Sequence, residues 1–143
     1  MPIREMTEAD LPQVLALQSE LAFQDWNEKQ FMAEIRANYA LCVVYTEGPE
    51  AKLLGYAIFH LMGPDSELLS IATTPSKQRT GIGSALMAAG FAKLDFCSGD
   101  KMFLEVREGN AKARAFYEKH GFTPYNTRKN YYADGENAIL YKR

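Results

Sequence analysis

From Leu68 to Gly83 the chain reads LLSIATTPSKQRTGIG: a strand, a glycine-containing turn and a helix start, in that order. No other stretch constrains the fold as strongly. The apolar run 68–72 predicts a strand, and Pro75 ends it because proline has no N–H for a ladder. Beyond the turn, Ile82, Ala85, Leu86 and Ala89 recur at helical spacing. Such a junction aims free backbone N–H groups and the positive end of a helix dipole at one point, which suits a phosphate. Gly81 and Gly83 carry no Cβ, so an anion can come close to the backbone, and Lys77 and Arg79 add positive charge. A Walker loop would need Gly-x-x-x-x-Gly-Lys-Ser/Thr, which this sequence lacks. A dinucleotide fingerprint would need a third glycine where Leu86 stands, with no insertion such as 74–80 behind the strand. What remains is Gln-x-x-Gly-x-Gly from Gln78. Taken alone, it is also compatible with a helix that merely begins with two glycines.

The second half of the chain narrows the choice. Residues 102–106 predict a short strand, and Gly109 and Asn110 read as a turn and a helix N-cap. Ala113, Phe116, Tyr117 and His120 share a helix face, which Gly121 terminates. The stretch Leu104-Glu105-Val106-Arg107, then Asn110, then Phe116-Tyr117-Glu118-Lys119-His120-Gly121-Phe122, closely resembles the RimI-like branch of the GNAT N-acetyltransferase superfamily. So does residues 130–138, NYYADGENA, and the motif from Gln78 resembles the acyl-CoA pyrophosphate loop of the same superfamily. The resemblance runs from about Ile3 to Lys142 and is strongest from Leu68 onward. It implies acetyl-CoA as cosubstrate and a protein N-terminus as acceptor, ribosomal proteins with N-terminal alanine being the branch's best-known targets.

Bulk properties agree with a small enzyme. With 143 residues and 47% hydrophobic content, the chain suits one domain over 1–143. No apolar run reaches bilayer-spanning length, and the N-terminus lacks a signal-peptide stretch, so a cytoplasmic protein without membrane contact is expected. Cys42 and Cys97 form no C-x-x-C pair, imply no metal site, and read as reduced core residues. A net charge of −2 argues against a nucleic-acid partner. Residues 1–100 hold seven Lys and Arg against thirteen Asp and Glu, and 101–143 hold nine against five. An acidic acceptor side would suit a cationic amine; ordinary surface variation explains the imbalance equally well. A monomer or weak dimer is expected.

Along the chain, strands are predicted at 2–6, 41–46, 53–61, 68–72 and 102–106, and two more near the C-terminus. Thr7 opens a capping pattern for a helix with Leu11, Val14, Leu15, Gln18, Leu21 and Ala22 inward. A second helix spans 27–37 with Phe31 and Ile35 inward, and two more follow the fourth and fifth strands. This α/β order fits a mixed central sheet with helices on both faces. By resemblance it is the GNAT-type sheet, splayed between its fourth and fifth strands, with the pantetheine arm in the opening. The resemblance then assigns Ile71, Ala72 and Thr73 to bond that arm as a pseudo-strand. Arg79, Thr80, Gly81, Ile82, Gly83 and Ser84 would bind the pyrophosphate, and Asn110 would contact the cofactor from across the cleft.

Acetyl transfer to an amine needs a neutral nitrogen and a proton for the departing thiolate. An α-amine titrates at roughly 7.7–8.0 and a lysine at about 10.4, so about a tenth of α-amines but only a few in ten thousand lysines are neutral at pH 7. Glu105 is the candidate base: a carboxylate amid apolar strand residues, on the face opposite Leu104 and Val106. The matching glutamate of RimI-like enzymes accepts the amine proton. The alternative is a solvent-facing Glu105 paired with Arg107. Tyr117 is the candidate acid and a cofactor contact, because a phenol stays protonated at neutral pH; its alternative is a core aromatic beside Phe116. An oxyanion donor is expected among the strand-four N–H groups, near Ala72 or Thr73. By resemblance Tyr131 contacts the acceptor while Tyr132 packs, and Trp26 lies where family acceptor loops sit, although Asp25 replaces the usual proline. His60 and His120 read as structural. Transfer to a small amine or lysine, a non-catalytic CoA-binding module and, least favoured, a nicotinamide-binding domain remain as alternatives.

Overall fold

The computed structural model describes residues 2–22 and 26–143, so Asp25 lies outside the described residues. Seven strands form one sheet: β1 (Ile3–Glu5), β2 (Ala40–Glu47), β3 (Lys52–His60), β4 (Asp65–Thr73), β5 (Lys101–Arg107), β6 (Thr123–Arg128) and β7 (Ala138–Lys142). Among the described residues four α-helices accompany them: α1 (Leu11–Leu21), α2 (Glu28–Arg36), α3 (Ile82–Phe91) and α4 (Ala111–Lys119). The strand order is β1-β2-β3-β4-β5-β7-β6, antiparallel throughout except at β4–β5. The expected mixed α/β sheet with helices on both faces is therefore what forms. None of the described helices is long and apolar enough to cross a membrane.

The two sheet faces carry separate cores. Phe59, Leu86, Met102, Leu104, Phe122 and Tyr141 cluster on the α3 and α4 face. Leu11, Val14, Phe31, Tyr56 and Ile58 cluster on the α1 and α2 face. Each fully buried aliphatic or Phe side chain contributes about 1.5–3 kcal/mol, so both faces matter to stability. Contact on the first face is close, since a Cβ on Gly90 would overlap the buried Phe59 ring. Gly90→Ala is expected to destabilise the protein by about 1–3 kcal/mol through overpacking, read as a lower urea midpoint at unchanged slope.

Local chemistry moves several boundaries. The first helix does not start at Thr7: Glu8–Asp10 form a 3-10 turn and α1 begins at Leu11, with Pro12 in its first turn. Its buried face is Leu11, Val14, Leu17 and Gln18; Leu15 and Leu21 pack partly buried against the same cluster as expected, Leu17 joins them, and Ala22 is exposed. Buried Asp10 receives a two-pronged bond from Arg4 at 2.7 and 2.8 Å, plus the Thr7 N–H at 2.8 Å. Arg4 chiefly holds the Asp10 carboxyl below the usual carboxylate range. A lowered native value stabilises the fold above the ordinary carboxylate pKa of about 3.9, and that stabilisation disappears as pH falls through the native value. Arg4→Met should therefore cost about 1 kcal/mol at pH 7, as Arg4 is well exposed, and the difference from the parent protein should shrink below about pH 4 in urea titrations.

Strand β4 starts at Asp65, three residues before its apolar run, because Ser66 and Glu67 find partners on β5 (Met102 and Phe103). Pairing with β5 then stops at Glu67↔Phe103. From there the strands part, β5 keeping its other edge on β7 from Phe103↔Lys142 to Arg107↔Ala138. The β3–β4 register also shifts between Ile58↔Ser70 and Phe59↔Leu68, leaving Leu69 as an extra residue that bends β4. Parting and bulge together make the splay between the fourth and fifth strands.

Of the two cysteines, only Cys42 is a core residue; burial pushes its thiol up to about 12. Cys97 is exposed, correcting the expectation for both. It sits in the 3-10 turn Phe96–Ser98, where Phe96 faces Phe91 with ring centroids 5.4 Å apart and Asp95 accepts the Cys97 N–H at 3.1 Å.

Candidate active site

The open edge of β4 is built by alternation. Thr74 N–H donates to Leu54 O at 2.8 Å, which sets Thr74 and Leu54 as a hydrogen-bonded pair. Counting back along the antiparallel register, Ala72 bonds to β3, while Ile71 and Thr73 turn their N–H and C=O groups toward the splay. Of the three expected pseudo-strand contacts, then, Ile71 and Thr73 offer backbone groups to the opening. The ladder takes those of Ala72, which also removes its N–H as an oxyanion donor. Thr73 O receives Gln78 Nε2 at 3.3 Å, tying the following loop to this edge.

That loop turns through Arg79 at φ +67° and Gly81 at φ +92° before α3 begins at Ile82. A Cβ on Gly81 would meet nothing within 4 Å, so the loop is open above it, although a side chain there would be strained. Gly83 has the opposite reason: its Cβ would lie 3.1 Å from the Phe116 ring, so its absence lets α3 and α4 approach. Among the described residues none accepts a hydrogen bond from the backbone N–H groups of Arg79, Thr80, Gly81, Ile82, Gly83 or Ser84. Unpaired N–H groups at a helix start form an anion cradle. The Thr80 hydroxyl donates back to Lys77 O. Ser84 Oγ lies 3.0 Å from His120 Nε2, a link between the start of α3 and the end of α4 that sequence reasoning missed.

Helix α4 is held at both ends. Asn110 caps it, its side chain accepting the Ala113 N–H at 3.2 Å. At the other end Gly121 adopts φ +91°, and the N–H groups of Gly121 and Phe122 bond Glu118 O and Tyr117 O, at 3.1 Å each. This geometry fixes Tyr117, whose ring centroid lies 6.0 Å from that of buried Phe122. Burial pushes the Tyr117 phenol up to about 12, with Tyr132 adding a smaller rise.

Glu105 lies on the α1 and α2 face, opposite Leu104 and Val106, and is about a quarter exposed. Its cation is Arg128 on β6, with Nη1 at 3.1 Å from Oε1. Arg107, the expected alternative, instead bonds Asp134 and Glu136, both at 2.9 Å, and lies over the Tyr132 ring at 4.1 Å. Glu136 also accepts the Gly109 N–H at 2.9 Å. These bonds pin the β6–β7 loop against β5. They set Tyr131 near Glu105, whose charge raises the phenol, and Arg128 over the Tyr131 ring at 4.6 Å. Tyr131 is 47% exposed, Tyr132 only partly. Tyr132 is close enough to act on Tyr117 from one side and to feel Glu105 from the other. Trp26 rests on Phe31 at 5.1 Å, its backbone clamped by the Gln18 amide at 2.7 and 3.0 Å, on the same sheet face as Glu105. His60 meets Glu34 at 2.6 Å.

The arrangement is an anion cradle at one end of a strand edge, with the Glu105 carboxylate and the partly buried Tyr117 phenol on opposite sheet faces beside the opening. The Acetyltransferase (GNAT) family matches residues 3–122. The chain belongs to this GNAT family. It is 32% identical over 141 residues to the ribosomal protein bS18-alanine N-acetyltransferase of Escherichia coli K12, covering 96% of this chain and 93% of that one. The crystal structure of the E. coli ribosomal-protein-S18-alanine N-acetyltransferase superposes with a TM-score of 0.84 at 31% identity, covering 98% and 90% of the two chains. Ard1 from Thermoplasma volcanium gives 0.85 at 26%, covering 99% and 95%. As a GNAT member the chain is an acetyl-CoA-dependent N-acetyltransferase, and the RimI-like resemblance read from residues 104–122 holds over nearly its full length. The free N–H row, the open space above Gly81 and the backbone groups that Ile71 and Thr73 turn toward the splay fit an acyl-CoA, which is anionic at one end and amide-bearing along its arm.

Proposed function

We propose that this GNAT enzyme acetylates the N-terminal α-amine of a protein, an alanine-headed ribosomal protein foremost, with Glu105 as base and Tyr117 as acid. The observation carrying the acceptor is the near full-length likeness to enzymes named for N-terminal alanine acetylation. The disposition of Glu105 and Tyr117 about the splay supports the chemistry. Arg79 to Ser84 hold the pyrophosphate through backbone N–H groups, Ile71 and Thr73 bond the pantetheine amides, and Asn110 borders the arm from α4. Acetyl-CoA supplies the acetyl group as an activated thioester. Glu105 takes a proton from the acceptor nitrogen, directly or through water, and Arg128, bonded to it at 3.1 Å, orients its carboxylate for that task. The nitrogen attacks the thioester carbonyl, the C–S bond breaks, and the Tyr117 hydroxyl gives its proton to the leaving sulfur. Tyr131 and Trp26 flank the acceptor on the Glu105 face.

The test is a panel of short peptides differing only in their first residue, incubated with acetyl-CoA and read by mass spectrometry. Alanine-headed peptides should rank first. Transfer only to N-blocked peptides carrying a lysine, or only to small amines, would replace this reading.

A further inference from the structure

Behind the anion cradle, at the C-terminal end of α4, a histidine has no role so far. His120 is half-buried, and its Nε2 lies 3.0 Å from Ser84 Oγ. Ser84 also offers a free backbone N–H to the cradle, so one side chain separates the imidazole from a bound anion. The ring is held in place. The His120 N–H bonds Phe116 O and Tyr117 O at 3.2 and 3.0 Å, and its carbonyl accepts Arg143 Nη1 at 3.1 Å. The imidazole rests on the Phe116 ring, 4.6 Å between centroids, and that ring packs on Gly83 of the cradle. The surroundings are cationic. Lys119 precedes it on α4, Arg143 follows β7, and Lys77 and Arg79 lie on the loop before α3, which itself carries no charged side chain. Burial first, then Lys119 and Arg143, hold the imidazole below its ordinary value, so it is mostly neutral at pH 7 in the free protein.

In the neutral tautomer with hydrogen on Nδ1, Nε2 accepts the Ser84 hydroxyl proton. Phosphate oxygens are acceptors, so that hydroxyl then has no proton for the anion. Protonation reverses the bond. Nε2–H donates to Ser84 Oγ, the hydroxyl hydrogen turns to the phosphate, and a positive charge stands behind it. The proton comes from solvent, and no covalent bond between heavy atoms changes. We propose that His120 is a positioning residue for the acyl-CoA pyrophosphate, taking up a proton as the anion binds and turning the Ser84 hydroxyl toward it. This rests on the pyrophosphate lying against Arg79–Ser84, as set out above.

Calorimetric binding of coenzyme A to the parent and H120Q, from about pH 5.5 to 8.5 in buffers of low and high ionisation enthalpy, tests this. Glutamine keeps a hydrogen-bonding group near Ser84 but does not titrate. Each unit by which the anion raises the imidazole tightens parental binding about tenfold at low pH. H120Q should therefore bind about tenfold more weakly than the parent near pH 5.5 and equally near pH 8.5. Near neutral pH the parent should take up more protons per coenzyme A bound; titration of the ligand's own phosphate is common to both proteins. Proton NMR of the unmutated protein gives a second reading, as the chain has two histidines. The His120 ring resonance should titrate about one unit higher with coenzyme A bound, and that of His60 should not move. Parallel binding curves with equal proton uptake, or an unmoved His120 midpoint, would overturn the proposal. Gly81→Val, strained at φ +92°, separates this from the cradle itself. Undiminished coenzyme A binding in that variant removes the pyrophosphate from the loop, and the role of His120 with it. Weakened binding there, with parallel parent and H120Q curves, overturns His120 alone.

Discussion

Tyr117→Phe is expected to lower kcat by at least about 10²-fold, the usual scale for losing a positioned acid, with little change in KM for acetyl-CoA. The ring remains, so packing against Phe116, Phe122 and Tyr141 is kept and only the hydroxyl is lost. A phenol raised to about 12 is protonated at every ordinary assay pH. It loses its proton only as pH rises toward that value, so Tyr117 contributes no falling limb to the rate profile below about pH 10. So high a value also makes it a weak acid, but a thiolate expelled into the same apolar surroundings is desolvated and gains proton affinity in parallel. Stopped reactions from pH 6 to 10, with coenzyme A release as readout, check both points. A Tyr117→Phe enzyme retaining more than half the parent kcat would assign Tyr117 to the core alone.

Glu105→Gln is expected to lower kcat/KM by about 10²-fold at pH 7, and the deficit should narrow as pH rises. The reason lies in the acceptor: above about 7.7–8.0 most α-amines are already neutral and need less help from a base. For a lysine acceptor the gap should persist to far higher pH, because its amine titrates at about 10.4. Glutamine keeps the size of the side chain, so thermal unfolding should barely move. A deficit of constant size from pH 6 to 9.5 would argue for a positioning role through Arg128 instead of proton transfer.

What could be read from the sequence was what depends on near neighbours. The order of apolar run, Pro75, Gly81 and Gly83 marked a strand, a turn and a helix start, and Asn110 and Gly121 bracketed α4 as cap and terminator. Long-range register was hidden. Ser66 and Glu67 lie outside the apolar run that marks the strand, β5 pairs with them all the same, and nothing local says that pairing stops after Phe103. The bulge at Leu69 arises from how β3 meets β4, not from an unusual residue. For the alternative of a paired Glu105, alternation along one strand offers only Arg107, two residues away. Arg128 becomes a neighbour only through the β5-β7-β6 order, in which β7 inserts between strands nearer in sequence. Ala72 was grouped with Ile71 and Thr73 by resemblance; which of the three the β3 ladder takes depends on register, which the sequence does not show. Exposed Cys97 looked like core because cysteine usually is; its turn is set instead by Asp95 and by Phe96 facing inward.

On the proposed function the acceptor is an α-amine served by Glu105 and Tyr117. The most direct measurement uses one peptide with a free N-terminal alanine and an internal lysine, incubated with acetyl-CoA and the enzyme at pH 7. Fragmentation mass spectrometry then locates the acetyl group. Acetylation is expected at the alanine nitrogen, slowed strongly in both Glu105→Gln and Tyr117→Phe. Acetyl found on the lysine with the N-terminus free, or α-amine transfer at parental rates in both variants, would contradict it.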